Sequence, residues 1–233
     1  MKRGDFIWII IISAITASLL IPASHKVIMD ATNLHPYVMG FIKFAILSTM
    51  GELLAIRIGE GRWKRTAGMA YKTVVWGIVG VLIVLMFSIF SNGVAGAAKA
   101  NLLFAGSGTL KTFLIAFYTS TILNLTFGPA FMAAHSISDA YIDMKAEGGN
   151  KSLQKVISKI DWCSFIKFVV GKTIPFFWIP VHTITFMLPG EYRIIAAAYL
   201  SVALGIILGF AKRMKTDVVS GINIKPVEKY KGD

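Results

Sequence analysis

The stretch "TVVWGIVGVLIVLMFSIF", residues 73–90, is a run of eighteen residues without a single charged side chain. About 20 predominantly apolar residues are needed for a helix to cross a hydrocarbon layer about 30 Å thick. The rest of the chain has the same character: of its 233 residues, 55% are hydrophobic and 15% charged, and the mean hydropathy is +0.67. Soluble domains carry about 25% charged residues. The sequence therefore predicts an all-α integral membrane protein.

Five other runs are similar in length and composition, so we expect six transmembrane helices. The predicted spans are residues 6–22, 37–56, 73–90, 112–136, 162–188 and 194–211. Residues 1–211 should form one transmembrane domain, followed by a basic, solvated tail over residues 212–233. The single cysteine, Cys163, excludes an intrachain disulfide and a cysteine-based metal cage.

Basic residues concentrate in alternate connections between these spans. The connections 1–5, 57–72, 137–161 and 212–233 contain seventeen Lys and Arg, whereas the intervening connections contain four. The positive-inside rule then places both termini on the cytoplasmic side of a bacterial or archaeal plasma membrane, or on the matrix side of an organelle membrane. Anionic lipid headgroups account for the net charge of +12. No basic and aromatic residues alternate as in nucleic-acid-binding surfaces, so we expect no nucleic-acid partner.

Two further patterns concern the connections and the symmetry. Residues 91–111, rich in small side chains, predict either a re-entrant or surface-lying segment on the outer side, or a flexible loop. The connection before the fifth span predicts a short helix over its second half. "FIKF" occurs at 41–44 and again at 165–168, in spans of opposite direction. That echo is consistent with a three-plus-three inverted repeat, which many transporters contain.

Ionisable side chains within apolar spans are costly and usually face a bundle interior or a water-filled cavity. Lys43 and Lys172 are candidates, although long lysine side chains also reach the headgroups. Glu52 cannot reach as far, and Gly51 beside it leaves room for a neighbouring helix. Because Lys43 and Glu52 are nine positions apart, they lie on opposite faces of one helix. Glu52 therefore needs a partner from another helix, or Arg57, in either an ion pair or a pore.

The fourth span ends in a polar stripe formed by His135, Asp139 and Asp143, at i, i+4 and i+8. Imidazole and carboxylates suit a divalent cation, but a helix end emerging into water explains the stripe as well. These residues are weak metal candidates, and no motif predicts a cofactor. In mid-span, Pro129 frees a backbone carbonyl near Asn124, which predicts a kink that faces protein or water.

The predicted fifth span, residues 162–188, would be about 40 Å long as a helix, more than the hydrocarbon layer requires. Pro175 and Pro180 each remove a backbone donor, so we expect a bent or broken helix, either lining a solute pathway or packed as a structural kink. The side chains expected to line a pore or substrate site are Lys43, Glu52, Asn124, His135, Asp139, Lys172, Trp178, His182 and Thr185.

This span and the turn after it resemble the signature of the Mpv-seventeen family of small polytopic membrane proteins. The family carries W-P-x-x-Q-x-x-N-F followed by V-P-x-x-Y-R; here Trp178 matches the tryptophan, and His182 stands where glutamine is usual. "HPYVMGFIKFAILSTMGELLA", residues 35–55, is similar to a second family helix, with Glu52 in place of aspartate. Gly51, Pro180, Pro189, Tyr192 and Arg193 belong to the segments that resemble the family. With the helix-bending Pro129 and Pro175, they are the structural-signature residues, to which we assign a structural rather than a lining role.

Members of that family reside in mitochondrial inner membranes and peroxisomes, and form pores or otherwise control solute balance. The resemblance, over residues 35–213, implies a channel or transporter for small solutes. Two alternatives remain open: a lipid-modifying enzyme that uses the His135 stripe, which we favour less, and a non-catalytic assembly partner. Gly205 and Gly209, four residues apart, are a weak signal for a homo-oligomer.

Overall fold

The computed structural model describes residues 2–148 and 152–222, and within these ranges every regular element is a helix. A π-helical segment, Phe165–Trp178, separates the short helix α7 from α8. The α-helices are α1 (Arg3–Leu20), α2 (Pro22–Leu34), α3 (Pro36–Glu60), α4 (Met69–Lys99), α5 (Gly108–Ala146), α6 (Leu153–Ser158), α7 (Trp162–Ser164), α8 (Ile179–Met187) and α9 (Gly190–Ile222).

Six helices are long and apolar enough to cross a membrane: Arg3–Leu20, Pro36–Glu60, Met69–Lys99, Gly108–Ala146, Trp162–Met187 and Gly190–Met214. Each predicted span overlaps one of them, so the prediction of an all-helical chain with six helices long and apolar enough to cross a membrane is confirmed. Large apolar side chains face outward, including Ile10 and Phe176, which are 65% and 80% exposed. In a water-soluble protein so much exposed apolar surface would be a liability, whereas lipid tails can cover it.

Local sequence explains where several helices begin and end. Pro22 and Pro36 occupy the first turns of α2 and α3, where a missing N–H costs nothing. Gly61 ends α3 with a φ of 68° and Gly68 precedes α4 with a φ of 80°, values that glycine adopts without a steric penalty. Asp161 caps α7 by accepting the Ser164 N–H at 2.9 Å. The hydrogen bond from the Ser164 hydroxyl lowers the pKa of the Asp161 carboxyl.

Helix α3 lies between α4 and α9, and glycines allow close approach on both sides. A Cβ at Gly205 would collide with the Gly51 carbonyl oxygen, and one at Gly80 with the Gly40 carbonyl oxygen. The expected close contact at Gly51 is therefore present. Gly209 packs against Ala55 and Ile58 of α3 in the same way. The Gly205 and Gly209 pair is thus covered within the chain, and it is not the dimer surface that its spacing indicated.

Both described ends of the chain lie at one end of the bundle, which we call the terminal end. Asp5 binds Arg57 at 2.7 Å and accepts a hydrogen bond from Trp63 at 2.7 Å. Lys212, near the end of the last span, binds Glu60 at 2.9 Å. The opposite end, which holds residues 100–107, is the distal end. Residues 223–233 of the predicted tail lie outside the described residues, and α9 continues helical past position 211.

One prediction about the backbone was wrong: residues 91–111 are neither re-entrant nor a loop throughout, because α4 continues to Lys99. Of the two outcomes expected for the fifth span, bent or broken, the break does not occur, since Pro175 lies within the π-helical segment and Pro180 lies in the first turn of α8. The bend stays a prediction. The short helix before this span is confirmed as α6.

The two "FIKF" segments have different surroundings. Lys43 and Phe44 in α3 are buried, whereas Ile166 and Phe168 in the π-helical segment are 57% and 51% exposed. The inverted repeat stays a prediction.

Candidate functional site

Two cavities follow each other along the bundle. The central cavity, of about 360 Å³, lies among α3, α4, α5, α9 and the fifth span. The distal vestibule, of about 1150 Å³, is bounded by the second half of α4, residues 101–106, α5 and Arg193. Six of the nine residues predicted to line a pore or substrate site line the central cavity: Glu52, Asn124, His135, Asp139, Trp178 and His182.

The part of the central cavity nearest the terminal end is acidic. Glu52 binds Lys72 of α4 at 3.4 Å and accepts a hydrogen bond from the Trp76 indole at 3.4 Å. The predicted interhelical partner of Glu52 is therefore Lys72, and Arg57 binds Asp5 instead. Asp139 lies 3.5 Å from His135 Nε2, and the His135 ring packs on Trp76 with centroids 4.3 Å apart.

The other side of the cavity holds a buried amide–imidazole pair. Asn124 Nδ2 donates to the Ser120 carbonyl at 2.8 Å and lies 3.0 Å from His182 Nδ1. Ser120, in turn, donates from its hydroxyl to the Ile179 carbonyl at 2.8 Å. Asn124 and His182 are 5% and 8% exposed. These bonds link α5 to α8 and orient the imidazole beside the cavity.

Three buried polar atoms of the cavity-lining residues have no hydrogen-bond partner within the described part of the chain: His135 Nδ1, Asp139 Oδ1 and Trp178 Nε1. A buried polar atom without a partner costs about 1–3 kcal/mol. All three belong to residues of one cavity. A polar occupant of this cavity could therefore gain hydrogen bonds that the protein itself does not supply.

Three predicted residues are not in the cavity. Lys43 is buried, but it donates to Thr32 of α2 at 2.7 Å. Thr185 donates to the Val181 carbonyl of its own helix at 2.9 Å. Lys172 is exposed on the outside of the bundle. The expectation for Lys172 was wrong because depth in a span does not fix the direction of a side chain, and π-helical winding turns each residue by less than the 100° of an α-helix.

Two of the structural-signature residues line a cavity: Gly51 the central cavity and Arg193 the distal vestibule. Pro129 is half-buried next to the lining residue Gly128, and Pro189 follows the end of α8. Tyr192 contacts His25 of α2 at 3.1 Å. Arg193 donates to the Leu188 carbonyl at 2.9 Å, which closes the turn between the last two spans.

One buried layer separates the two cavities. Phe87 lies between the α4 residues that line each cavity, and its ring centroid is 4.6 Å from that of Phe186 and 5.5 Å from that of His182. Phe87 and Phe186 are 3% and 4% exposed. Phe186 lines the distal vestibule and His182 the central cavity. The layer is therefore about one helical turn thick along the fifth span, from His182 to Phe186, and about two turns along α4, from Ile83 to Ser91.

The polar stripe of the fourth span does not form one site. Asp143 binds Lys72 at 3.1 Å, while His135 contacts Asp139. Over residues 2–148 and 152–222 the structure has no group of three or more His, Cys, Asp or Glu side chains placed to hold a metal ion.

Sequence reasoning missed Lys72, Trp76 and Phe87. Lys72 was assigned to a connection, although α4 begins at Met69 and buries its side chain. The two aromatic residues stand in the most uniformly apolar span, where no local signal separates a cavity-lining ring from one that faces lipid. Comparisons of this chain with protein-family models, with curated proteins and with solved structures find no match.

Proposed function

We propose that this chain is a channel or carrier for small solutes, with both termini in the cytoplasm. The observation that supports the proposal most directly is the arrangement of two cavities on either side of the layer of Phe87 and Phe186. A solute pathway that is closed at one point would have this form, since moving two rings would join the cavities. The resemblance to the Mpv-seventeen family supports the same role, and Trp178, which matches the family's tryptophan, lines the central cavity.

The experiment is solute release from liposomes that contain the purified protein. Replacing both rings, Phe87→Ala with Phe186→Ala, should raise the release of small polar solutes by about tenfold or more, as expected when a barrier falls by about 1.4 kcal/mol. The matched control is Phe113→Ala with Phe117→Ala, a stacked pair on α5 that is 44% and 38% exposed.

Release by the control should equal that of the unchanged protein. If neither the unchanged protein nor the Phe87 and Phe186 variant releases anions, cations or sugars faster than empty vesicles, the proposal fails. In that case a non-catalytic partner role would become the better explanation of the buried polar groups.

A further inference from the structure

Five large aromatic side chains contribute to the walls of the central cavity, beside a larger number of aliphatic residues. They are Phe44, Trp76, Phe127, Phe131 and Trp178. A volume of about 360 Å³ falls within the range of small-molecule sites, which are mostly apolar with a few polar groups that orient the ligand. Aromatic faces attract cations through the negative potential of the ring, and they do so most strongly where water is excluded.

The charges at this cavity are unbalanced. In the described part of the chain, the charged side chains that line it are Glu52 and Asp139, and no Lys or Arg does. Lys72 approaches Glu52 from outside the lining and is shared with Asp143. Three carboxylates, those of Glu52, Asp139 and Asp143, therefore lie near one lysine. This leaves an excess of negative charge at the terminal side of the cavity.

The two carboxylates that line the cavity, Glu52 and Asp139, make long contacts. Charge-assisted hydrogen bonds are usually about 2.7–2.9 Å long, whereas both contacts of Glu52 measure 3.4 Å and that of Asp139 to His135 measures 3.5 Å. Among the described residues, the second oxygen of Asp139 has no hydrogen-bond partner. The acidic side of the cavity can therefore accept another cationic group.

We infer that the central cavity is a binding site for a monovalent organic cation, an ammonium group on an apolar body. The ammonium would lie near Glu52 and Asp139 and the apolar part against the aromatic walls. The cation should enter from the terminal end, because Lys99, Lys111 and Arg193 line the distal vestibule and would repel it. This inference rests on the proposed function, since it names the class of solute.

The test is binding of radiolabelled benzyltrimethylammonium to the protein in lipid nanodiscs, with empty nanodiscs subtracted. We expect one saturable site per chain, with little binding of neopentylbenzene, the neutral isostere, or of benzoate. Glu52→Gln with Asp139→Asn should weaken binding at least about tenfold, whereas Glu191→Gln, an exposed acid outside the cavity, should not change it. Phe131→Leu, which removes an aromatic face and leaves both acids in place, should weaken binding about threefold to tenfold.

Equal binding of the neutral isostere, tighter binding of benzoate, or no saturable binding would each overturn the inference. The inference would also be overturned if cation binding were unchanged both by Glu52→Gln with Asp139→Asn and by Phe131→Leu. The result is separable from that of the release assay. Release of neutral or anionic solutes without cation binding would leave the proposed channel standing, and cation binding without any release would leave the site but contradict the channel.

Discussion

At the scale of single residues, Lys72 of α4 forms ion pairs with acidic residues of two other helices. Its side chain is 8% exposed and lies between Glu52 of α3 and Asp143 of α5. A buried lysine is tolerated only with such partners, because an unpaired charge in a medium of low polarity is costly. The lysine therefore connects three helices next to the central cavity.

Replacing this lysine, Lys72→Met, should lower the free energy of unfolding by about 3 kcal/mol, because it leaves two carboxylates without their cation. Glu52→Gln should cost only about 1 kcal/mol, since Lys72 keeps Asp143. The double variant should lose less than the sum of the two, as expected for side chains in contact. Unfolding in detergent measures all three.

Lys167→Met is the control, an exposed lysine of the fifth span, and it should shift the unfolding free energy by less than about 0.5 kcal/mol. Strict additivity of Lys72→Met and Glu52→Gln would contradict the ion pair.

At the scale of helices, glycine positions set the distance between α3 and its two neighbours. The helix backbones are in direct contact at Gly51 and Gly205 and at Gly40 and Gly80. Within a bilayer, such close packing replaces the hydrophobic driving force that helices in water would have. The α3–α9 contact also contributes lining residues, such as Ser201 and Gly205, to the central cavity.

A methyl group at this contact should be destabilising. We expect Gly205→Ala to lower the free energy of unfolding by about 1–3 kcal/mol, because the Gly51 carbonyl oxygen cannot move without displacing a helix. Gly93→Ala is the matched control: this helical glycine has no atom near its missing side chain, so alanine should stabilise the protein by about 0.5–1 kcal/mol. Thermal unfolding in detergent measures both variants. If Gly205→Ala and Gly93→Ala change the free energy of unfolding equally, the close packing at Gly205 is contradicted.

The fifth span shows a second effect at this scale. Ile174, Trp178, His182 and Phe186 recur every four residues and line the two cavities. The π-helical segment ends at Trp178, so it sets the rotation at which this stripe meets α5. Pro175 lies within this winding, and the residues of the fifth span that line the cavities do so with their side chains.

At the scale of the molecule, the two cavities differ in charge. The distal vestibule is lined by three cations and the central cavity by two carboxylates. Electrostatic attraction raises the local concentration of ions of opposite charge. A pathway formed by these cavities should therefore treat solutes of opposite charge differently from its two ends.

The predicted orientation can be tested with Cys163, which is exposed at the start of the fifth span. In intact cells, a membrane-impermeant maleimide should leave Cys163 unlabelled, and it should label it in inside-out vesicles, because the positive-inside rule places this end in the cytoplasm. Cys163→Ser with Ser107→Cys moves the thiol to the exposed distal loop and should reverse the pattern. Labelling of Cys163 in intact cells would mean the opposite orientation.

Individual residues show how far sequence reasoning reached. Glu52, His135 and His182 were recognised as cavity-lining candidates because a polar group in an apolar span must find a protein or water partner. Lys72 was missed because the predicted span began at residue 73, whereas α4 begins at Met69. Phe87 was missed because it stands among similar apolar residues. Lys172 was placed wrongly because its direction depends on the winding of the helix.

The sequence alone determined that the chain has six helices long and apolar enough to cross a membrane, because the length and polarity of each apolar run are sums over neighbouring residues. It also identified which side chains could not face lipid. Only the tertiary structure decided which of these meet: the pairing of Glu52 with Lys72, the contact of Asn124 with His182, and the layer of Phe87 and Phe186. Those contacts depend on the rotation and spacing of each helix, which glycine contacts and π-helical winding set through residues far apart in the chain.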